Sequence, residues 1–379
     1  MNSSNLNLPP ADLVDTRSRF LENIAELSQE KILAVDTEAN SLYAYQEQVC
    51  LIQISSPSRD FILDPLALND LSPLKEIFHS PSIEKVFHAS EYDINILWED
   101  FQIEINNLFD TMIAARLLGR KKLGLDSLLT ERFNLSVDKR FQRADWSKRP
   151  LPDKMLRYAQ IDTHFLIEIR NWLKDQLVKQ GRWEIAQEDF QRASRAHLRP
   201  RKEKLPPCWR MKEAKKLPPQ KAAVLKELSK YRDQIARDKD LPLFKVLGNK
   251  TLLALAQACP TSHQEIKKIN LSQKKQVLSL EEGVLMAVRR GLSAEPISPP
   301  RQPRPDDDYL SRERALKDWR REKAQDVGVN SAVILPRYLL TAVARENPQS
   351  LAELGELLQE VPLRYEHYGR EILQIIDRA

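Results

Sequence analysis

The sequence predicts a layered α/β domain followed by two small all-α domains. Three observations carry that reading. Short apolar runs alternate with helically spaced segments through the first half of the 379 residues, the pattern of a layered α/β domain. Strand signals then stop, and apolar residues keep helical spacing to the end of the chain. Finally, the two helical stretches repeat one another at a fixed offset.

The elements follow in order. Ile32-Leu33-Ala34-Val35 is a short apolar run and Val49 to Ile54 a second, and Phe61-Ile62-Leu63 and Lys85-Val86-Phe87 read as two more strands. Helical spacing runs through Leu74 to Phe78, Asp110 to Leu118 and Leu125 to Phe133. Pro152, suited to a first helical turn, opens one long helical pattern carried by Leu156, Ile161, Phe165, Ile169, Trp172 and Leu177. From Arg192 to Lys221 eleven Lys or Arg stand against two Glu, with Trp209 and several prolines among them. A second break, from Pro296 to Asp308, reads as an extended linker.

The repeat is read from matched positions. Tyr231-Arg232 recurs as Trp319-Arg320, 88 positions on, and at the same offset Leu228 meets Leu316, Ala236 meets Ala324, Leu252 meets Leu340 and Pro260 meets Pro348. The expected division is an α/β domain over 1–195, a basic Pro-containing linker over 196–220, helical domains over 221–295 and 309–379, and a Pro-rich linker over 296–308 between them.

Composition excludes several function classes. Nine glycines form no GxGxxG and no GxxxxGK[ST], so both glycine-dependent phosphate cradles are absent and no nucleotide cofactor is expected. Cys50, Cys208 and Cys259 are far apart, which rules out a thiolate zinc cluster and fits a reducing, cytoplasmic setting. No signal peptide opens the chain, and no apolar run approaches the roughly 18 residues of a membrane span. The net charge of +5 (59 basic, 54 acidic residues) says little until its distribution is considered.

Candidate chemistry lies in acids. Asp36 and Glu38 end the first apolar run, and on a strand i and i+2 leave the same face. Two anions that close call for a cation with oxygen preference between them; alone, such a pair is as readily a solvated strand end. Tyr158 and Asp162 are four apart, on one face of the long helix, where an isolated Asp is often a surface residue. Asp93 follows the Val86-Phe87 run at a strand-to-helix junction, a place where the helix dipole favours an acid for its own sake. Together the three signals suggest one converging site.

In this order and spacing, Asp36-x-Glu38, Asp93 and Tyr158-x-x-x-Asp162 resemble the three exonuclease motifs of the DEDD superfamily, in its tyrosine-bearing branch. Leu-Ile-Gln-Ile at 51–54, Ile-Leu-Asp-Pro at 62–65, Phe-His-Ala at 87–89 and Asp145-Trp146-Ser147-Lys148-Arg149-Pro150-Leu151 extend the likeness to the ribonuclease D family. The repeated helical segment resembles the HRDC domain, an accessory nucleic-acid module. One departure is Ala39-Asn40-Ser41-Leu42, where ribonuclease D commonly has an aromatic residue after the first Glu. Asp-Thr-Glu-x-x-Ser-Leu is closer to the proofreading exonuclease of bacterial DNA polymerase I, whose equivalent leucine wedges against the terminal base.

The resemblance implies an α/β ribonuclease H-like exonuclease fold, a mixed sheet flanked by helices, and hydrolysis of the last phosphodiester with two divalent ions, Mg²⁺ or Mn²⁺. Asp36, Glu38 and Asp162 would be direct ligands, with Asp36 the bridge, and Asp93 would hold the second ion. Tyr158 would orient the attacking water. His88 is a candidate phosphate contact or a core histidine; Leu42, Trp146, Lys148 and Arg149 are candidate substrate contacts, with packing the competing role for Trp146. The implied partner is RNA with a single-stranded 3′ end, a tRNA precursor among the candidates, with the basic 192–221 stretch either holding its phosphates or serving as a solvated linker. No membrane partner is expected, and the oligomeric state is left open. Rival readings are a 3′-5′ DNA exonuclease and an RNA-binding protein that has lost catalysis.

Overall fold

A computed structural model of the chain describes residues 8–198, 205–300 and 305–379. The predicted linkers at 196–220 and 296–308 fall partly on 199–204 and 301–304, outside the described residues. By compactness the described chain forms two units: residues 8–39, 49–198 and 305–379 in one, and 40–48 with 205–300 in the other.

In the first unit the sheet runs, among the described residues, in the order β1 (Asp12–Val14), β4 (Asp60–Leu63), β3 (Val49–Ser55), β2 (Ile32–Ala39), β5 (Glu84–Phe87) and β6 (Leu108–Asp110). β3 is antiparallel to both neighbours, whereas β1–β4, β2–β5 and β5–β6 are parallel. The expected mixed sheet with flanking helices is the fold observed. β3, Val-Cys-Leu-Ile-Gln-Ile-Ser, is buried at every residue, because helices cover both faces and leave no reason for alternation.

Helices α1 (Arg17–Leu27), α2 (Ser72–His79) and α3 (Glu91–Phe101) share one apolar core with the sheet through Phe20, Leu74, Phe78 and Leu97. A second core is built by α4 (Thr111–Leu117), α5 (Leu125–Phe133), α6 (Asp153–His164), α7 (Leu166–Lys179) and α8 (Trp183–Ser194). Two predictions are corrected. β1 and β6 were not expected, being three residues each with too little sequence to show a period. The single long helix from Pro152 breaks at Phe165, because α6 packs on β2, β3 and β4 while α7 turns to pack on α4, β2 and β5.

The two helical modules repeat one another. In the second unit, α9 (Pro219–Asp238), α10 (Leu243–Val246), α11 (Asn249–Ala258), α12 (His263–Lys268), α13 (Lys274–Ser279) and α14 (Glu281–Ser293) enclose a core around Leu228, Leu252 and Val284. In the first unit, α15 (Asp307–Val327), α16 (Ser331–Ile334), α17 (Arg337–Glu346), α18 (Leu351–Leu357) and α19 (Pro362–Asp377) do the same around Leu316, Leu340 and Ile372.

This second module is fastened to the exonuclease-like domain. Arg364, fully buried, meets Glu188 and Asp189 of α8 and donates from Nε to the Val333 carbonyl at 2.8 Å. Val333 joins the core of α4–α8. Backbones also close up here: Gly119 has φ +74°, and a Cβ on it would lie 2.3 Å from the Gly328 carbonyl oxygen.

Candidate active site

β2 carries Asp36 and Glu38 on the face covered by α6. The first turn of α3 carries Asp93, and α6 carries Tyr158 and Asp162 one turn apart. A cavity of about 640 Å³ is lined by Asp36, Glu38, Asp162, Tyr158 and His88. Asp93 stands just behind that wall, 5% exposed, and accepts a hydrogen bond from the Thr37 hydroxyl at 2.5 Å. The structure thus brings together the four acids and the tyrosine that the sequence singled out.

Polar clamps fix these elements. On α6, Gln160 donates to Asp60 at 2.6 Å, His164 pairs with the same carboxylate at 2.7 Å, and Thr163 meets Ser55 at 2.7 Å. Asp162 is therefore flanked on its own helix by side chains tied to the sheet. Asp110, the N-cap of α4, holds the loop before α3: it accepts from the Ser90 amide and hydroxyl, both at 2.8 Å, and from the Met112 amide at 2.8 Å. Ala89 in that loop sits at φ +61°, a conformation unusual for a residue with a Cβ.

The electrostatics are those of anions crowded out of water. Asp36 is raised well above the ordinary carboxylate range, by burial first and then by Asp93, Asp162 and Glu38. Burial pushes Glu38 up to about 9, with Asp162 and Asp93 adding to it. Asp162 rises to about 7 through burial, and Asp93 to about 7 through burial opposed by its bond to Thr37. The Tyr158 phenol is raised beyond its usual value by burial and by the Asp162, Glu38 and Asp36 carboxylates, so it stays protonated at neutral pH.

Among the described residues no three His, Cys, Asp or Glu side chains stand already in coordination geometry. The donor set nevertheless fits a hard divalent cation: all oxygen, all anionic, and mutually repelling until positive charge lies among them. Asp36, Glu38, Asp162 and Asp93 are the residues that could hold it.

His88 Nδ1 lies 2.9 Å from the Thr111 hydroxyl, which itself donates to the Phe87 carbonyl at 3.1 Å. With its one proton committed there, Thr111 accepts from Nδ1–H, which leaves Nε2 as an acceptor. Burial lowers the His88 pKa, against Asp110 and Asp126, and favours this neutral form.

The other predicted substrate contacts lie elsewhere. Trp146 is 1% exposed and packs with Leu51, Met155 and Tyr158, so the packing role is the one observed. Arg149 is spent on structure: Nε and an Nη meet Asp64 at 2.5 and 2.7 Å, and Nη atoms reach the Cys50 and Trp146 carbonyls. Lys148 is exposed, 3.7 Å from Asp145, and lines no wall of the cavity. Leu42, 39% exposed, belongs to the 40–48 segment, which joins the second unit through Tyr45, bonded to Asp233 at 3.1 Å. It does not line the cavity.

The cavity wall also contains residues that were not expected: Gln142, which hydrogen-bonds Tyr158, and Lys139 and Arg143. Lys139 is anchored to Asp126 at 2.6 Å. Their one signal in the sequence is the basic, aromatic run Lys139-Arg140-Phe141-Gln142-Arg143 before Asp145. Beside Asp36 on the same sheet face, Gln53 stands opposite it across the β2–β3 ladder, fully buried, with neither amide atom hydrogen-bonded among the described residues.

Comparison with known proteins agrees with this geometry. A 3′-5′ exonuclease family model matches residues 12–178, and an HRDC domain model matches 221–282 and 310–376. The exosome complex exonuclease RRP6 of Saccharomyces cerevisiae is 34% identical over 264 residues, 65% of this chain and 36% of the yeast protein. The chain spans about a third of the length of such curated relatives. Among solved structures, the catalytic core of RRP6 from Trypanosoma brucei superimposes with a TM-score of 0.68 at 30% identity, covering 76% of this chain and 81% of that one. Escherichia coli RNase D shares the fold, with a TM-score of 0.68 at 24% identity over 93% of this chain and 100% of that one. Motifs, fold and matched domains agree: the chain belongs to the DEDD 3′-5′ exonuclease family that carries HRDC domains, the family of ribonuclease D and RRP6.

Proposed function

We propose that this chain is a 3′-5′ exoribonuclease that removes nucleoside 5′-monophosphates one at a time from a single-stranded 3′ end. The observation that carries this reading is the convergence of four acids on one site: Asp36, Glu38 and Asp162 line a cavity with a protonated tyrosine, and Asp93 is buried just behind its wall. Enzymes of the DEDD family depend on divalent metal, and we assign two ions, Mg²⁺ or Mn²⁺, to Asp36, Glu38, Asp93 and Asp162. When bound, such ions supply a nucleophilic water and charge stabilisation for the leaving oxygen.

The chain's own groups do the rest. Tyr158, kept neutral by its surroundings, positions the water through its hydroxyl, and Gln142 holds that phenol. Lys139 and Arg143 face the cavity where phosphates would run. His88, with Nε2 bare, is suited to accept a hydrogen bond from a ribose hydroxyl rather than to donate to a phosphate. The natural RNA is proposed to be structured, with tRNA precursors among the candidates, and Cys50, Cys208 and Cys259, none of them in a disulfide, suit a reducing cytoplasm. Among the described residues no helix is long and apolar enough to cross a membrane.

The test is purified protein with 3′-extended tRNA, a generic RNA and a matched DNA, with and without Mg²⁺. Release of 5′-nucleotides from RNA, faster than from DNA and abolished by Asp36→Asn, is the expected result. Equal or faster loss of DNA would support the DNA exonuclease instead.

A further inference from the structure

Polar side chains on the β3–β4 face under α6 find partners on that helix, with Gln53 as the exception. Asp60, on β4, accepts from Gln160 at 2.6 Å and pairs with His164 at 2.7 Å. Ser55, on β3, donates to the Thr163 hydroxyl at 2.7 Å. Gln53 stands two residues before Ser55 on the same strand, so it leaves the same face. It is 0% exposed, yet neither Nε2 nor Oε1 has a hydrogen-bond partner among the described residues. A buried amide left that way costs about 1–3 kcal/mol, and an apolar side chain of similar volume would fill the place without that cost. The packing of this face therefore gives no reason for an amide.

The neighbours of Gln53 restrict which group it serves. Across the sheet it lies in one row with Asp36 on β2 and Ile62 on β4. Directly opposed residues of antiparallel strands have Cβ atoms about 4.5–5.5 Å apart, within reach of a glutamine amide. Ile62 offers no polar atom in its side chain and packs in one cluster with Leu51, Tyr158 and Ala159. Ser55 and Asp60, the polar neighbours along and across the strands, are already bonded to α6. That leaves the acids of β2, of which Asp36 stands directly opposite and Glu38 one diagonal step away. An ionised carboxylate only accepts, so the N–H end of the amide is the end that can face it.

A neighbouring acid already has a support of this kind. Thr37, beside Asp36 on β2, donates from its hydroxyl to Asp93 at 2.5 Å. Neither Asp93 nor Gln53 lines the cavity, so both stand behind its wall.

We infer that Gln53 is a positioning residue of the metal site: its side-chain amide donates to the Asp36 carboxylate and fixes the orientation in which that carboxylate receives a divalent cation. Carboxylates that ligate metals are themselves held by hydrogen bonds from outside the site, and those partners set metal affinity without touching the reacting atoms. The inference rests on the assignment of divalent ions to Asp36 and the other three acids, and it adds a fifth side chain to that site.

The test compares the full wild-type chain with Gln53→Met, which keeps the length of the side chain and removes the donor. Calorimetric titration with Mn²⁺, without RNA, should show affinity weakened about 10–100-fold. The Mn²⁺ concentration that gives half-maximal hydrolysis of a short RNA should rise by the same factor, with KM for the RNA at saturating metal unchanged. In EDTA the variant should melt at or above wild type, a combination that a purely structural glutamine would not produce. An unchanged Mn²⁺ affinity overturns the inference. So does a variant that melts below wild type in EDTA, because the amide would then belong to the packing. A wild-type chain that binds no Mn²⁺ would refute the metal assignment itself, and this inference with it.

Discussion

Removing divalent metal should make this protein less stable as pH rises, the reverse of ordinary acid sensitivity. Asp93 and Asp162 move from 3.8 to about 7 and Glu38 from 4.5 to about 9 on folding. Between the unfolded and folded values the native state binds more protons than the unfolded chain, so stability falls with pH across roughly pH 4 to 9. A carboxylate moved from 3.8 to about 7 corresponds to about 4 kcal/mol. The shifts do not add, because each acid is raised partly by the others. The cluster's net effect is then about 4 kcal/mol, or roughly 10 °C in Tm for a unit of this size.

The assay is thermal unfolding from pH 5 to 9 in EDTA and in Mg²⁺. Two groups work in the opposite sense: Lys85, lowered by burial to about 7, and His88, also lowered by burial. For each the unfolded chain binds the extra proton, so stability rises with pH through its window. The discriminating quantity is therefore the difference between EDTA and Mg²⁺, which should widen with pH, and the difference made by Asp36→Asn. That variant should melt higher than wild type in EDTA at pH 8 and lose its response to metal. A gap between EDTA and Mg²⁺ that stays constant from pH 5 to 9 would refute the reasoning.

Three further outcomes are expected. Tyr158→Phe should lower kcat by about 10²-fold with KM and metal affinity little changed, measured by initial rates and calorimetry. No fall or rise in rate below about pH 10 should trace to this phenol, whose pKa lies above its usual value. Gln53→Met should raise the Tm of the metal-free protein, because it removes two buried amide atoms that lack partners, a burden of about 1–3 kcal/mol. Arg364→Ala should cost about 3–5 kcal/mol in denaturant unfolding, since Glu188 and Asp189 are then left buried without it; a loss below about 1 kcal/mol would mean water compensates them.

The sequence revealed most where residue type and spacing are dictated by one physical demand. β2, β3, β4 and β5 are buried on the sheet and read as apolar runs, and α5 was legible to the residue. The acids were legible because an Asp-x-Glu on a strand and a Tyr-x-x-x-Asp on a helix each leave one face. Trp146 and Arg149 were not, since an aromatic or a guanidinium beside a motif serves core and groove equally well in one dimension. Only the neighbours decide, and for Arg149 they are Asp64 and a strand carbonyl from Cys50, far off in sequence. The break at Phe165 was hidden for a similar reason: both halves keep helical spacing, and what separates them is the change of packing partner.

The repeated modules carry this reasoning one step further. Positions that serve the module itself stayed alike, and the clearest is the arginine at 232 and 320, which in both copies donates to the carbonyl just before the next helix. A residue kept that way reports the module's internal packing and says nothing about partners. Positions on the corner where the second helix of each module meets the third differ together, Lys245 against Val333 and Lys250 against Tyr338. An apolar side chain at that corner gains by being covered, as Val333 is by the exonuclease core. A lysine there gains nothing from an apolar cover and would lose its hydration under one. One copy is therefore part of the catalytic body through its corner, and the other presents lysines there that an apolar cover would desolvate.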